Sequence, residues 1–265
     1  MGSTSVQRTV RAARNDDRLA AVIVYVDSPG GSALASDLMW RELSLLAQEK
    51  PLIIYMGAVA ASGGYYISTP ARTVVAQRAT ITGSIGVVMA KLVSSAAYEK
   101  IAARRVVMQR GANASLYADH SGWNAEQRAK VEESIHSIYY EFTSRVCTGR
   151  KVSVEALESI CQGRVWTGAQ AKERGLVDEL GDFHTAYVAA CRALDLPADG
   201  RVRTERVADP GSGLMTETVK SVKALLGLDR VTQLEDAARL ALHGDLESIW
   251  RGERIWLLAD DLPAV

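Results

Sequence analysis

Pro51-Leu52-Ile53-Ile54-Tyr55-Met56-Gly57-Ala58-Val59-Ala60-Ala61-Ser62-Gly63-Gly64-Tyr65-Tyr66 is the stretch on which the reading of this chain turns. Pro51 to Met56 is apolar and reads as a buried strand. Small residues follow, then Ser62, then Gly63-Gly64 and a segment that reads as a helix to about Pro70. Small neighbours leave room for a substrate backbone beside the Ser62 hydroxyl, and a turn into a helix offers unpaired N–H groups. The stretch therefore reads as strand, nucleophile turn and helix. It also raises a question: which group removes the proton from Ser62?

Upstream, Leu19 to Val26 (LAAVIVYV) is a continuous apolar run suited to a strand buried on both faces. It leads into Asp27-Ser28-Pro29-Gly30-Gly31-Ser32. Ala33 to Lys50 carries leucines at 34, 38, 43, 45 and 46, a helical pattern, and Val6 to Arg18 reads as the end of another helix. Downstream, Thr73 to Ala76 is a short strand, and Thr82-Gly83-Ser84-Ile85-Gly86-Val87 is a glycine-punctuated turn. Strand and helix alternating at these lengths make an α/β fold of βαβ units on a mainly parallel sheet. Ala125–Thr148, Val154–Cys161, Thr167–Arg174 and Phe183–Leu194 then form a helical carboxyl-terminal layer. Residues 196–213 read as a linker, and two weakly amphipathic helices from Thr216 end in an apolar tail, Ile255 to Leu258.

The chain has 265 residues, 48% hydrophobic and 23% charged, with a formal net charge of zero. That composition fits one large globular domain or two small ones. A neutral chain with no basic stripe makes no electrostatic case for nucleic acid. Cys147, Cys161 and Cys191 are too far apart for a zinc motif and read as three thiols. No metal or cofactor is expected. No apolar run approaches the ~20 residues that cross a bilayer. The polar start, Met1-Gly2-Ser3-Thr4-Ser5, has no signal-peptide core and reads as a start inside a longer frame or an expression scar.

Loops at the carboxyl ends of parallel strands are where α/β proteins build sites. Ser-Pro-Gly-Gly follows one strand here and Ala-Ala-Ser-Gly-Gly the next. The first loop can face its N–H groups toward the serine of the second, giving a nucleophile and an oxyanion hole for acyl transfer. Losing one such donor costs roughly 3 kcal/mol of transition-state stabilisation. Asp27 reads as a cap on the turn that follows it rather than as an acid, Thr167 as a helix cap and Trp166 as packing. Asp178, Glu179 and Asp182 read as a solvated turn, not a metal site.

VDSPGGSALAS, GAVAASGGYYIST, TGSIGVV and GRVWTGAQAKERGLVDELGDF, in that order, resemble the signal peptide peptidase A family of serine peptidases. The resemblance spans residues 6 to 195 and implies a spiral of βαβ units like that of crotonase and the Clp protease. It implies a peptidase domain over 1–195, lacking its first strands, with 214–265 a helical extension. It makes Ser62 the nucleophile, the amides of Gly31 and Gly63 the oxyanion hole, and Ser84 the residue that orients the general base. The family's base is a lysine, and a lysine accepts a proton only when burial lowers its pKa. In the segment that should carry it, Gln109 to Asp119, the matching position is Ala114.

Three readings meet that departure. Long, two-repeat members hold the serine in the second repeat and the lysine in the first, and this chain is similar to the second. Alternatively a neighbouring subunit or a local residue, Lys91 or His120, serves as base, although each reads more simply as a solvated surface residue. Last, the chain is a catalytically inactive peptide-binding or scaffold subunit. Crotonase-type acyl-CoA chemistry fits the two glycine loops less well. The resemblance further implies remnant signal peptides or other membrane-released peptides as substrates. It implies action at the periplasmic or extracytoplasmic face of the cytoplasmic membrane, by a membrane-anchored, ring- or dome-shaped oligomer.

Overall fold

The computed structural model describes residues 2–103, 106–210 and 254–257. In chain order its first elements are α1 (Ser3–Asn15), β1 (Val22–Ser28), α2 (Ala33–Glu49), β2 (Leu52–Ala61), α3 (Gly63–Ser68), β3 (Thr73–Ala76), β4 (Ile81–Gly83) and α4 (Ser95–Lys100). There follow α5 (Ala125–Arg150), α6 (Val154–Ile160), β5 (Val165–Thr167), α7 (Gly168–Glu173), β6 (Glu179–Leu180), α8 (Phe183–Ala193) and β7 (Arg254–Leu257).

The two apolar runs become parallel neighbours, from Val22 opposite Leu52 to Val26 opposite Met56. Alternate residues of β2 enter opposite cores. Leu52, Ile54 and Met56 pack with Val24, Leu43 and Leu46 under α2. Ile53 and Tyr55 pack with Val75 and with Ala186 and Ala189 of α8. Helices on both faces are what unbroken apolar strands require. β1 starts at Val22, not Leu19, because Leu19 still belongs to the turn leaving α1, with its N–H on the Asp16 carbonyl at 3.0 Å.

β2 is longer than its apolar run. It continues from Gly57 to Ala61 because its backbone changes partners. Ile53 to Met56 pair with β3, and Val59 to Ala61 pair with β4, both in parallel. On the other side the register slips, so that Ser28 faces Ala60 and Asp27 alone stands opposite Gly57, Ala58 and Val59. The Asp27 carboxylate accepts the Val59 N–H at 3.0 Å. Asp27 is therefore a bridge across a strand irregularity, which corrects its reading as a cap on the turn that follows it. The split of β2 between two partner strands curls the sheet, whose path runs β5-β4-β2-β1-β7 with β3 and β6 branching from β2.

The helical layer follows the sequence closely. Asn124 and Thr167 form capping boxes with Gln127 and Gln170 at the starts of α5 and α7. The Trp166 indole donates to the Ile160 carbonyl at 3.0 Å. Asp178 and Asp182 of the acidic cluster are exposed, as a solvated turn requires, and the cluster is also tied to the fold by hydrogen bonds and ion pairs. Asp178 accepts the Val74 N–H at 2.7 Å and pairs with the buried Arg150 at 2.5 Å. Glu179 pairs with Arg192 at 2.7 Å, and Asp182 caps α8 through the Thr185 N–H at 3.1 Å. The three cysteines are free, and burial pushes the Cys161 thiol up to about 11.

Residues 196–210, expected as linker, run back along the domain: Val207 packs on the main core, and Asp209 holds Arg8 at 2.8 Å. The helices expected after Thr216 lie outside the described residues. In the carboxyl-terminal tail, β7 pairs antiparallel with the outer edge of β1. Among the described residues no helix is long and apolar enough to cross a membrane.

Candidate active site

Ser62 stands between the last residue of β2 and the first of α3, at φ 51° and ψ −118°. A serine held there costs roughly 1–3 kcal/mol, a cost that tends to be found at functional positions. Hydrogen bonds fix it. Its N–H donates to the Gly83 carbonyl at 2.9 Å, and its carbonyl accepts the Tyr66 N–H at 2.8 Å. Tyr65, wholly buried, anchors the same short helix by donating to the Leu176 carbonyl at 2.9 Å. Ala61 and Gly83 are the last paired residues of β2 and β4, so Ser62 and Ser84 leave the sheet side by side. Ser84 is also held at positive φ, 49°, with its N–H on the Arg164 carbonyl at 2.8 Å.

The loop after β1 presses directly on this turn. Gly30 sits at φ +102°, and a Cβ there would stand 2.7 Å from both the Gly63 nitrogen and the Ser62 Cβ, and 3.0 Å from the Ser62 Oγ. A Cβ on Gly63 would meet the Gly30 Cα at 3.3 Å, the Gly31 nitrogen at 3.4 Å and the Ser36 Oγ at 2.4 Å. Only bare backbone allows this approach. Two serines support it. Ser28 accepts the Gly30 N–H at 3.1 Å, and Ser36 donates to the Ser32 carbonyl at 3.0 Å. The amides of Gly31 and Gly63 thus stand beside Ser62, an arrangement suited to receiving the oxygen of a carbonyl under attack.

These groups open into one cleft of about 980 Å³, lined by Gly31, Ser62, Gly63 and Ser84 together with Leu34, Tyr66, Val87, Met89, Ile138 and Phe142. Its walls are mostly apolar. Tyr66 donates to Asp37 at 2.8 Å and packs its ring 4.9 Å from that of Phe142. Burial, with help from Asp37, pushes the Tyr66 phenol up to about 12. It stays protonated near neutral pH and serves as wall and donor, not as base.

Among the described residues no lysine and no histidine lines the cleft. Lys91 donates to the Ser115 carbonyl at 3.1 Å and lies 5.8 Å from the centre of the Trp123 ring, outside the cleft. His120 is also outside it. Ala114 sits exposed in a turn, with its N–H on the Gly111 carbonyl at 3.2 Å, and it too is outside. The fold thus brings Ser62, Ser84, Gly31 and Gly63 to the same cleft, while Ala114, Lys91 and His120 are not among its lining residues. Ser28, Ser36 and Tyr66 went unnoticed as supports. Their signal was slight: a serine at a strand end, one a turn after Ser32, and a tyrosine a turn after Ser62.

Residues 44–196 match the model of peptidase family S49. The chain belongs to peptidase family S49. Serine protease SPPA, chloroplastic, of Arabidopsis thaliana is 38% identical over 222 residues, 83% of this chain and 33% of that protein. Protease 4 of Salmonella typhi is 38% identical over 200 residues, 74% of this chain and 32% of that protein. Protease 4 of Haemophilus influenzae is 37% identical over 208 residues, 76% and 33% of the two chains. The S49 chain spans about a third of the length of these relatives. That family is one of peptidases, and the α/β frame is the crotonase- and Clp-like one that the sequence motifs implied.

Proposed function

We propose that the S49 chain hydrolyses peptide bonds through an acyl-enzyme on Ser62, with a lysine base that comes from outside these 265 residues. The observation that carries this is the pressing of the Gly30-Gly31 loop onto a strained Ser62 turn. The Ser62 Oγ attacks the scissile carbonyl as the base takes its proton. The oxyanion is held by the amides of Gly31 and Gly63. Ser84, leaving the sheet beside Ser62, hydrogen-bonds the base and aims it. The base then gives its proton to the leaving amine, and water releases the acyl group by the same steps.

An external base is supported by the absence of lysine and histidine from the cleft lining among the described residues, and by relatives about three times as long as the matched segment. Apolar walls and a close-fitting glycine loop suit an extended apolar peptide with small residues. Remnant signal peptides have that character, and a peptidase that takes them would act at the outer face of the cytoplasmic membrane.

The missing base also favours a second reading, an inactive peptide-binding or scaffold subunit. One experiment separates them. The chain is given an apolar fluorogenic peptide at alkaline pH, with and without ethylamine as a substitute base. Amine-dependent hydrolysis that vanishes in Ser62→Ala supports the proposal. Equal hydrolysis without amine would place the base within the chain and refute it. Peptide binding with no hydrolysis under any condition selects the scaffold reading.

A further inference from the structure

We propose that Gln162 is a substrate-binding residue, its side-chain amide donating a hydrogen bond to a backbone carbonyl of an extended peptide in the cleft. This rests on the reading that the cleft takes peptides. Gln162 and Gly163 form the corner between α6 and β5, and both line the cleft. Gln162 is held at φ 59° and Gly163 at φ 75°. Residues with a side chain rarely adopt that left-handed region, and holding one there costs free energy. Glycine would occupy the position without strain, so what Gln162 adds there is its side chain. The corner itself is fixed. The Gln162 N–H donates to the Tyr139 hydroxyl at 3.3 Å, and the Gly163 N–H to the Ile85 carbonyl at 2.9 Å. A Cβ on Gly86 would stand 2.8 Å from the Gly163 Cα, so the corner also presses on the segment that leaves Ser84.

The side chain is clamped at one atom and open at another. Gln162 Oε1 accepts an Arg164 guanidinium N–H at 3.0 Å. The same guanidinium nitrogen donates to the carbonyls of Glu158 at 3.1 Å and Cys161 at 3.0 Å. An arginine can only donate, so the oxygen end of the amide must face it, and the nitrogen end turns away. The two N–H groups on Nε2 have no partner among the described residues. A few fixed polar groups in an apolar pocket are what orient a ligand. The chemistry of the occupant follows. The cleft walls are mostly apolar, and a peptide carbonyl that enters them gives up its water. It needs a donor in exchange, and the Tyr66 hydroxyl is already committed to Asp37. A carbonyl, which only accepts, matches Nε2, whereas an ammonium or a guanidinium does not. With the amides of Gly31 and Gly63 engaged by the scissile carbonyl, Gln162 takes the carbonyl of a neighbouring residue and sets the register of the peptide.

Binding can be read apart from chemistry, by fluorescence anisotropy of a fluorescein-labelled apolar peptide on the full chain carrying Ser62→Ala. Adding Gln162→Ala should weaken binding about 5-fold. Gln162→Glu, which replaces the donors by an acceptor, should weaken it at least as much. Gln162→Gly should also lose about 5-fold, while its unfolding midpoint holds or rises because the strain is relieved. A merely structural residue would move binding and midpoint down together. Peptides with one amide at a time replaced by an olefin locate the carbonyl. At a single position the parent and Gln162→Ala should bind alike. Unchanged binding in Gln162→Ala and Gln162→Glu overturns the proposal. So does a Gln162 effect that persists across the whole peptide set, or a parent that binds no peptide. Amine-dependent hydrolysis with binding indifferent to Gln162 sinks this contact and keeps the peptidase reading. Binding that depends on Gln162, with no hydrolysis under any condition, keeps the contact and sinks the peptidase reading.

Discussion

Gly63→Ala offers a quantitative check on how tightly the serine turn is built. The new methyl would lie 2.4 Å from the Ser36 Oγ, about 1 Å inside ordinary van der Waals contact. Ser36 is buried and its hydroxyl is tied to the Ser32 carbonyl, so it has little room to retreat. Overpacking of this kind costs about 1–3 kcal/mol. Ser36→Ala alone removes one hydrogen bond, worth about 0.5–1.5 kcal/mol. In the double variant the clash is gone, and the remaining contacts, 3.3 Å to the Gly30 Cα and 3.4 Å to the Gly31 nitrogen, are tolerable. The double variant should therefore be more stable than the sum of the two single changes by about 1–2 kcal/mol. In a domain of this size that is about 2–8 °C in Tm. Thermal unfolding of the four proteins by circular dichroism reads it directly. Strict additivity, with Gly63→Ala no worse in the presence of Ser36 than in its absence, would refute the contact.

Other consequences are simpler. Asp27→Ala should cost about 1–3 kcal/mol in urea unfolding by orphaning the Val59 N–H, whereas Asp27→Asn keeps an acceptor and should stay within about 0.5 kcal/mol of the wild type. Equal losses for the two would show that charge, not the bulge hydrogen bond, is at stake. The Tyr66 phenol is raised from 10.0 to about 12, so the unfolded chain gives up this proton first. Its contribution to stability is complete below pH ~10 and falls away as pH rises through about 12. Tyr66→Phe should flatten that alkaline decline in a pH series of melts, and an unchanged slope would contradict the burial argument. Ala114→Lys places its ammonium in an exposed turn away from the cleft. It should leave Ser62 unlabelled by a fluorophosphonate and shift stability by no more than about 0.5 kcal/mol. Strong labelling of that variant would mean that the turn reaches the serine.

Much of the frame was legible because apolar runs and helical periodicity report burial directly. Thr73–Ala76 is a strand with the bounds read from sequence, and Ala33–Glu49 stops one residue short of the expected end. What escaped was set by pairing, not by side-chain pattern. Gly57 to Ala61 extend β2 through backbone bonds to β4, and small residues leave no strand signature. β5 and β6 have three and two residues, too few for any period to appear. At the site, the glycine loops and both serines could be named because each needs a bare or strained backbone in a fixed order. The role of Asp27 could not, since its partner lies 32 residues away across a register slip. The general base was legible only as a gap at Ala114. The fold deepens that gap by placing Lys91 and His120 outside the cleft as well.

The central claim is that Ser62 is an armed nucleophile lacking only its base. The direct measurement is mass-spectrometric localisation of a fluorophosphonate adduct. The chain is treated alone, with ethylamine, and together with a lysine-bearing partner of the same fold. The account predicts an adduct on Ser62 with amine or partner, little or none without them, and a loss of the adduct on Gly30→Ala. Full labelling of the untreated chain, or an adduct on a different serine, would contradict it.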